Sequence, residues 1–126
     1  MAPVPGPELA NEDFCYLTTT GRVSGEPREI EIWFGLAGPT LYMLSGSGTD
    51  LTDGPRAHWV RNIQKQPAVG VRIGGETFEG KGRLVEVDSQ EDRLARRLLV
   101  EKYRSDKDDL ADWGRTALPV AVDFEP

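Results

Sequence analysis

Residues 16–34 restrict the fold more than any other part of the chain. Two runs of strand-forming residues, 16–20 and 29–34, flank a short loop that contains two glycines, a proline and two arginines. Threonine, tyrosine and isoleucine favour strands, and closely spaced glycine and proline residues are typical of a tight connection. The sequence therefore predicts a β-hairpin near the start of the chain.

The rest of the chain adds further strands of similar length. Six strands are expected in all, at residues 14–20, 28–34, 40–45, 69–73, 76–87 and 119–124. Residues 41–44 read as a strand that is buried on both faces. Gly80 and Gly82 interrupt the fifth strand and suggest a bend, as occurs where a sheet curls.

Two helices complete the predicted elements. The first spans residues 55–66, with Pro55 in its first turn. The second follows Ser89, which forms a helix-start capping pair with Asp92. Strands and helices together predict a mainly β domain with helices (α+β), arranged as a six-stranded split β-barrel.

Composition limits the domain organisation and the partners. The 126 residues suffice for a single domain at residues 14–126, preceded by a proline-rich, flexible N-terminal arm at residues 1–13. The chain carries 15 Lys and Arg against 21 Asp and Glu, a formal net charge of −6. This balance argues against nucleic acid as a partner, but it permits a small anion in a local basic pocket.

Cys15 and His58 are the only cysteine and histidine in the sequence. They are far apart in the chain and form no ligand cluster, so no metal site and no intramolecular disulfide are expected. The sequence shows neither a signal peptide nor an apolar run long enough to cross a bilayer. We therefore expect a cytoplasmic protein without stable membrane insertion.

Residues 55–75 carry five basic side chains, counting His58, and no Asp or Glu. One interpretation is an anion-binding site, shared with Arg22, Arg28 and the hydroxyl and amide groups of the first hairpin loop. The other is an ordinary solvated surface whose cations pair with glutamates elsewhere, such as Glu29. The residues alone leave both interpretations open.

Several segments form a more specific pattern: Leu17-Thr18-Thr19-Thr20-Gly21-Arg22, Ser24-Gly25-Glu26-Pro27-Arg28, Trp33-Phe34, the loop at 45–48, Trp59-Val60-Arg61-Asn62-Ile63 and Pro67-Ala68-Val69. Together they resemble the deazaflavin-dependent nitroreductase and quinone reductase family of actinobacteria. Its members have a split β-barrel related to pyridoxamine-phosphate oxidase and flavin reductase folds. The resemblance extends over roughly residues 15–124.

The resemblance implies a cofactor, coenzyme F420, which is a deazaflavin with a phosphate and an oligoglutamate tail. The cofactor-binding positions that it implies are Thr19, Thr20, Arg22, Ser24, Arg28, Ser45, Gly46, Ser47, Trp59 and Asn62. Tyr103 and Ser47 are candidates for donating a proton or hydrogen bond to the reduced product, and Trp33 and Trp113 for the walls of the substrate pocket. Val23 departs from the pattern, because family members often carry a lysine there.

The implied activity is transfer of a hydride from the reduced cofactor to a small-molecule acceptor. Quinones, nitroaromatics and other activated conjugated compounds are the acceptor classes that the resemblance implies. Two alternatives are an oxidoreductase of the same fold that binds FMN and a non-catalytic carrier of the deazaflavin. The sequence leaves the oligomeric state open between a monomer and a homodimer.

Overall fold

The computed structural model describes residues 4–45, 58–103 and 117–124. Within them the chain forms seven strands, two α-helices and an N-terminal 3-10 helix at Pro7–Asn11. The strands are β1 (Cys15–Thr20), β2 (Pro27–Ile32), β3 (Gly35–Ala37), β4 (Thr40–Ser45), β5 (Ala68–Ile73), β6 (Glu76–Leu84) and β7 (Leu118–Asp123). The α-helices are α1 (His58–Lys65) and α2 (Gln90–Tyr103).

The strands form one antiparallel sheet in the order β2-β1-β5-β6-β7-β4-β3. The sheet curls into a half-barrel, so the prediction of a mainly β split barrel is confirmed. The described residues contain seven strands rather than six, because β3 is a separate short strand. It pairs with β4 across a turn at Gly38, whose φ of 60° favours glycine.

The core has two parts because both faces of the sheet are covered. Leu41 and Met43 of β4 belong to the cluster inside the curl, whereas Tyr42 and Leu44 pack in a second cluster with α2. Successive side chains of a strand point to opposite faces, so β4 contributes to both clusters. The prediction that this strand is buried on both faces is confirmed.

Helix α1 lies on the curl through Val60 and Ile63, both almost fully buried. It lies very close to β6, since a Cβ atom on Gly82 would be only 2.8 Å from Ile63 Cγ2. The amide of Gly82 also donates a hydrogen bond to the carbonyl of Pro67, just beyond α1. The glycine thus permits the close approach that places α1 beside the β1–β2 loop.

Helix α2 begins with the predicted capping pair. The hydroxyl of Ser89 accepts a hydrogen bond from the amide of Asp92 at 3.0 Å, and the Asp92 carboxylate accepts one from the amide of Asp88 at 2.7 Å. Both bonds satisfy amide groups that would otherwise lack partners at the helix start. No helix in the described part of the chain is both long and apolar enough to cross a membrane.

Part of the segment expected as a flexible arm is packed on the domain. The 3-10 helix at Pro7–Asn11 carries Leu9, whose side chain is buried in the cluster inside the curl. The carbonyl of Asp13 accepts a hydrogen bond of 2.7 Å from the hydroxyl of Tyr103, at the end of α2. These contacts attach the described residues of the arm to both the sheet and a helix.

Candidate functional site

The β1–β2 hairpin loop and helix α1 enclose a cavity of about 510 Å³. Its lining combines cationic, hydroxyl and apolar side chains, and the lining residues among those described include no Asp or Glu. They are Thr19, Gly21, Arg22, Val23, Ser24, Arg28, Ile30, His58, Trp59 and Asn62. The cavity therefore joins the two regions that the sequence analysis singled out for anion binding.

The hairpin loop has a fixed shape. The amide of Gly21 donates a hydrogen bond to the carbonyl of Glu26, and the amide of Gly25 donates one to the carbonyl of Gly21, both at 2.8 Å. A Cβ atom on Gly21 would lie 2.7 Å from Ser24 Oγ, so a side chain at this position would displace the hydroxyl. Ser24 Oγ accepts hydrogen bonds from the Glu26 amide at 3.2 Å and from Arg28 Nη2 at 3.5 Å.

Asn62 connects the loop to the helix from a buried position. Its Nδ2 donates a hydrogen bond of 3.1 Å to Thr19 Oγ1, and both side chains are at most 3% exposed. Its Oδ1 accepts hydrogen bonds from the backbone amide of Arg22 at 3.1 Å and from Arg22 Nη1 at 3.0 Å. Arg22 Nη2 lies 3.3 Å from His58 Nδ1, one helical turn before Asn62.

The electrostatics of the cavity follow from what its cations contact. Among the described residues, neither Arg22 nor Arg28 forms an ion pair with a carboxylate. Arg72 differs, because it pairs with Glu29 at 3.5 Å and lies over the ring of Tyr16. Pairing with distant acids is therefore the correct interpretation for Arg72, and the anion-site interpretation fits Arg22 and Arg28.

The structure does not bring Thr20 and Ser45 to this cavity. Thr19 and Thr20 are consecutive in β1 and must point to opposite faces, so Thr20 lines a second groove of about 450 Å³ with Thr18. Ser45 is buried at the end of β4, opposite Leu118 of β7. The predicted positions Gly46, Ser47 and Trp113 lie outside the described residues.

Tyr103 and Trp33 lie together, and neither lines the cavity. Their rings stack with centroids 4.2 Å apart and planes 4° from parallel. The Tyr103 hydroxyl accepts a hydrogen bond from the Phe34 amide at 3.0 Å while it donates to Asp13, and burial raises its pKa to about 12. These contacts hold the hydroxyl in the scaffold and give no support to its predicted role as a proton donor.

Four lining residues are not among the cofactor-binding positions that the resemblance implies: Gly21, Val23, Ile30 and His58. Of these, His58 could have been found from the helix pattern. Its spacing of four residues from Asn62 gave a usable signal, because residues at i and i+4 share one face of a helix. The position of Ile30 in the lining could be predicted in a similar way, from the alternation of side chains along a strand. It faces Leu17 across the β1–β2 pair and lies on the same side of the sheet as Arg28.

Comparison with known proteins identifies the family. A model of the F420H2-dependent quinone reductase family matches residues 4–125, nearly the whole chain. A search of the curated proteins gives no match.

Solved structures share the fold at low sequence identity. An F420-H2 dependent reductase is 22% identical with a TM-score of 0.69, over 88% of this chain and 94% of that protein. A protein described as a domain-swapped dimer is 23% identical with a TM-score of 0.68, over 88% of this chain and 80% of the other. The heme storage protein HutZ from Vibrio cholerae is 16% identical with a TM-score of 0.70, over 94% and 87%.

The family match agrees with the geometry of the site. A basic cavity in an acidic chain suits a cofactor that carries a phosphate and carboxylates. The chain belongs to the F420H2-dependent quinone reductase family and is an oxidoreductase whose cofactor is coenzyme F420.

Proposed function

We propose that the cavity between the hairpin loop and α1 holds the phosphate and acidic tail of coenzyme F420, and that the enzyme reduces quinones, nitroaromatics or other activated conjugated acceptors. The observation that carries this proposal is that Arg22 and Arg28 line one cavity whose described lining contains no carboxylate. In a chain of net charge −6, such a site concentrates positive charge where a polyanion would bind.

The donor set fits this ligand. Guanidinium groups present planar N–H donors that match phosphate and carboxylate oxygens, and Ser24 adds a hydroxyl beside Arg28. Trp59 and Ile30 give the same cavity an apolar wall suited to the face of a ring. The cavity thus combines anion-binding and ring-binding surfaces that the β1–β2 hairpin and α1 contribute together.

When bound, the reduced deazaflavin supplies the hydride, so the protein need not supply a nucleophile or a metal. The chain's own residues then have two tasks. Arg22, Ser24 and Arg28 anchor the charged part of the cofactor and so set its position. Trp59 and Ile30 shield one side of the cofactor ring from water and hold that ring in a fixed orientation towards the acceptor.

Binding measurements test the location of the site. We expect Arg22→Ala to weaken F420 binding by roughly 10-fold to 100-fold, the range for a hydrogen bond to a charged group. Arg61→Ala is the matched control, because Arg61 is an exposed cation of α1 that does not line the cavity. Equal effects of the two substitutions on the Kd, measured by cofactor fluorescence, would place the tail elsewhere.

Turnover measurements test the reaction and separate it from its alternatives. Reduced F420 is mixed with the protein and a panel of quinones and nitroaromatic compounds, and cofactor oxidation is followed by absorbance. Oxidation that depends on both enzyme and acceptor supports the proposal. Binding without oxidation would favour a carrier, and tight binding of FMN without binding of F420 would favour the flavin alternative.

Several narrower assignments stay predictions. They comprise cofactor contacts at Thr20, Ser45, Gly46 and Ser47, proton donation by Tyr103 or Ser47, and substrate walls at Trp33 and Trp113. A homodimer and a cytoplasmic location also stay predictions, the former supported by the likeness to a protein described as a domain-swapped dimer. Light scattering of the purified chain would give its mass in solution.

A further inference from the structure

Arg22 is held at four of its polar atoms by side chains of α1. Its backbone amide and its Nη1 donate to Asn62 Oδ1 at 3.1 and 3.0 Å, and its Nη2 lies 3.3 Å from His58 Nδ1. Its carbonyl accepts a hydrogen bond of 3.0 Å from Lys65 Nζ. The three helical residues lie at intervals of four and three, which places them on one face of the helix.

The oxygen of Asn62 has no capacity left for a ligand. An amide oxygen has two lone pairs, and both are engaged by Arg22. Its Nδ2 donates to Thr19, and the side chain is only 3% exposed. Asn62 therefore stabilises the conformation of Arg22 and of the end of β1, through its hydrogen bonds to Arg22 and Thr19.

The contact with Arg22 also fixes the ring of His58. A guanidinium has only donors, so Nδ1 of His58 must accept the hydrogen bond from Arg22 Nη2. In the neutral imidazole the proton is then on Nε2. The Nδ1 atom of His58 is engaged by Arg22 in the same way as the oxygen of Asn62.

We propose that His58 and Asn62 are positioning residues that act on the bound cofactor through Arg22 and do not hold it themselves. The proposal rests on the function proposed above, in which Arg22 binds the anionic tail. Two of the five N–H donors of the guanidinium are engaged by the helix, which leaves three for the anion. An arginine that is already ordered loses less conformational freedom when it binds, so its affinity for the anion rises.

The two nitrogen atoms of His58 can be separated by isosteric substitution. In His58→Asn the amide oxygen can replace Nδ1 as the acceptor for Arg22, whereas in His58→Gln the longer amide reaches the position of Nε2. We expect His58→Ala to weaken F420 binding by about threefold to tenfold, as for loss of one hydrogen bond. His58→Asn should restore the Kd to within about twofold of wild type, and His58→Gln should not. Restoration by glutamine alone, or by neither residue, overturns the proposal.

A double-mutant cycle tests Asn62. The Kd of F420 is measured for wild type, Arg22→Ala, Asn62→Ala and the double variant, with thermal melting to confirm that each is folded. We expect Asn62→Ala to weaken binding in wild type and to add less than about twofold in the Arg22→Ala background. Equal losses in both backgrounds would mean that Asn62 contacts the cofactor directly and would overturn the proposal.

The same measurements separate this proposal from the one on which it rests. If Arg22→Ala leaves the Kd unchanged, the proposed tail site is wrong. If Arg22→Ala weakens F420 binding but Asn62→Ala changes the Kd equally with and without Arg22, the proposed tail site is supported and the positioning role of Asn62 is wrong. Because His58 is exposed, its variants keep the test available even if Asn62→Ala does not fold.

Discussion

The hydroxyl of Tyr103 lies 3.0 Å from the amide nitrogen of Phe34, a residue 69 positions earlier in the chain. The same hydroxyl donates a hydrogen bond to the carbonyl of Asp13. One phenol thus joins the last residue of α2 to the corner between β2 and β3 and to the N-terminal segment. The Trp33 ring stacked on it covers the junction from one side.

Tyr103→Phe tests whether this hydroxyl is structural or catalytic. The substitution keeps the stacked ring but leaves the amide of Phe34 and the carbonyl of Asp13 without their partner. We expect the free energy of unfolding to fall by about 1–3 kcal/mol, the range for unsatisfied polar groups. The kcat/KM for oxidation of reduced F420 should stay within about twofold of wild type, since Tyr103 does not line the cavity.

Tyr16→Phe provides the matched control. Tyr16 is also on the sheet, but no hydrogen bond joins its hydroxyl to another described residue, and its contact with Arg72 uses the ring. Its unfolding free energy should therefore change by less than about 0.5 kcal/mol. A large loss of kcat in Tyr103→Phe without loss of stability would restore the catalytic role.

The sequence predicted elements that local patterns specify. The connection between β5 and β6 is one case: the strands predicted at residues 69–73 and 76–87 leave only Gly74 and Gly75 for a two-residue turn, and both have positive φ angles, of 56° and 85°. The cap of α2 at Ser89 is another. Strand β3 was not predicted, because a strand of three residues is too short to show the alternation of apolar and polar side chains.

Arg83 and Glu91 make the stability of the domain dependent on pH. The guanidinium donates to both carboxylate oxygens of Glu91 at 2.6 Å, and this lowers the Glu91 pKa from 4.5 to about 2. Since the folded state has the lower pKa, the stabilisation is complete above pH 4.5 and is lost as the pH falls towards 2. We expect Glu91→Gln to lower the unfolding free energy at pH 7 by about 1–3 kcal/mol, after allowance for solvent screening.

The shape of the pH profile gives a second test of this pair. Glu91→Gln should show a smaller fall in unfolding free energy between pH 5 and 2.5 than wild type, measured by urea denaturation. Asp123 also accepts a hydrogen bond from Arg83, and its pKa is lowered by that bond. Part of the pH dependence of the unfolding free energy therefore remains in Glu91→Gln. Glu86→Gln is the control, because Glu86 is an exposed acid nearby. Parallel profiles of wild type and Glu91→Gln would contradict the argument.

Gly82→Ala tests whether the close approach of α1 to β6 supports the site. The new methyl group would lie 2.8 Å from Cγ2 of Ile63, which is only 1% exposed and has little room to move. We expect a loss of about 1–3 kcal/mol in unfolding free energy from overpacking. F420 binding should also weaken, because displacement of α1 moves His58 and Asn62 relative to the loop.

Gly70→Ala is the matched control for this effect. A Cβ atom on Gly70 would meet only the Cβ of Thr18, at an ordinary contact distance of 3.8 Å. Its unfolding free energy should be unchanged or slightly higher, since alanine restricts the unfolded chain. If Gly82→Ala behaves like Gly70→Ala in melting and in F420 titration, the spacing between α1 and β6 is not critical.

The two regions that the sequence analysis linked line one cavity, but several of the predicted positions do not face it. The basic stretch and the hairpin loop could be linked by their chemistry, and they do meet at Arg22 and Asn62. Which residues face the cavity depends on strand alternation and on tertiary packing. Alternation separates Thr20 from Thr19, and the packing of α2 takes Tyr103 to the opposite end of β2 from Arg28.

Val23→Lys offers a test by gain of affinity. Val23 lines the cavity at the loop tip and is 94% exposed, so a lysine there adds a cation beside the proposed tail without disturbing the core. We expect F420 to bind about twofold to fivefold more tightly at low salt, as for an exposed ion pair, and the gain to shrink at 1 M salt. Val87→Lys, at an exposed position outside the cavity lining, should leave the Kd unchanged. Equal gains in both variants would indicate a general effect of net charge, and no gain in either would mean that the tail does not pass this loop.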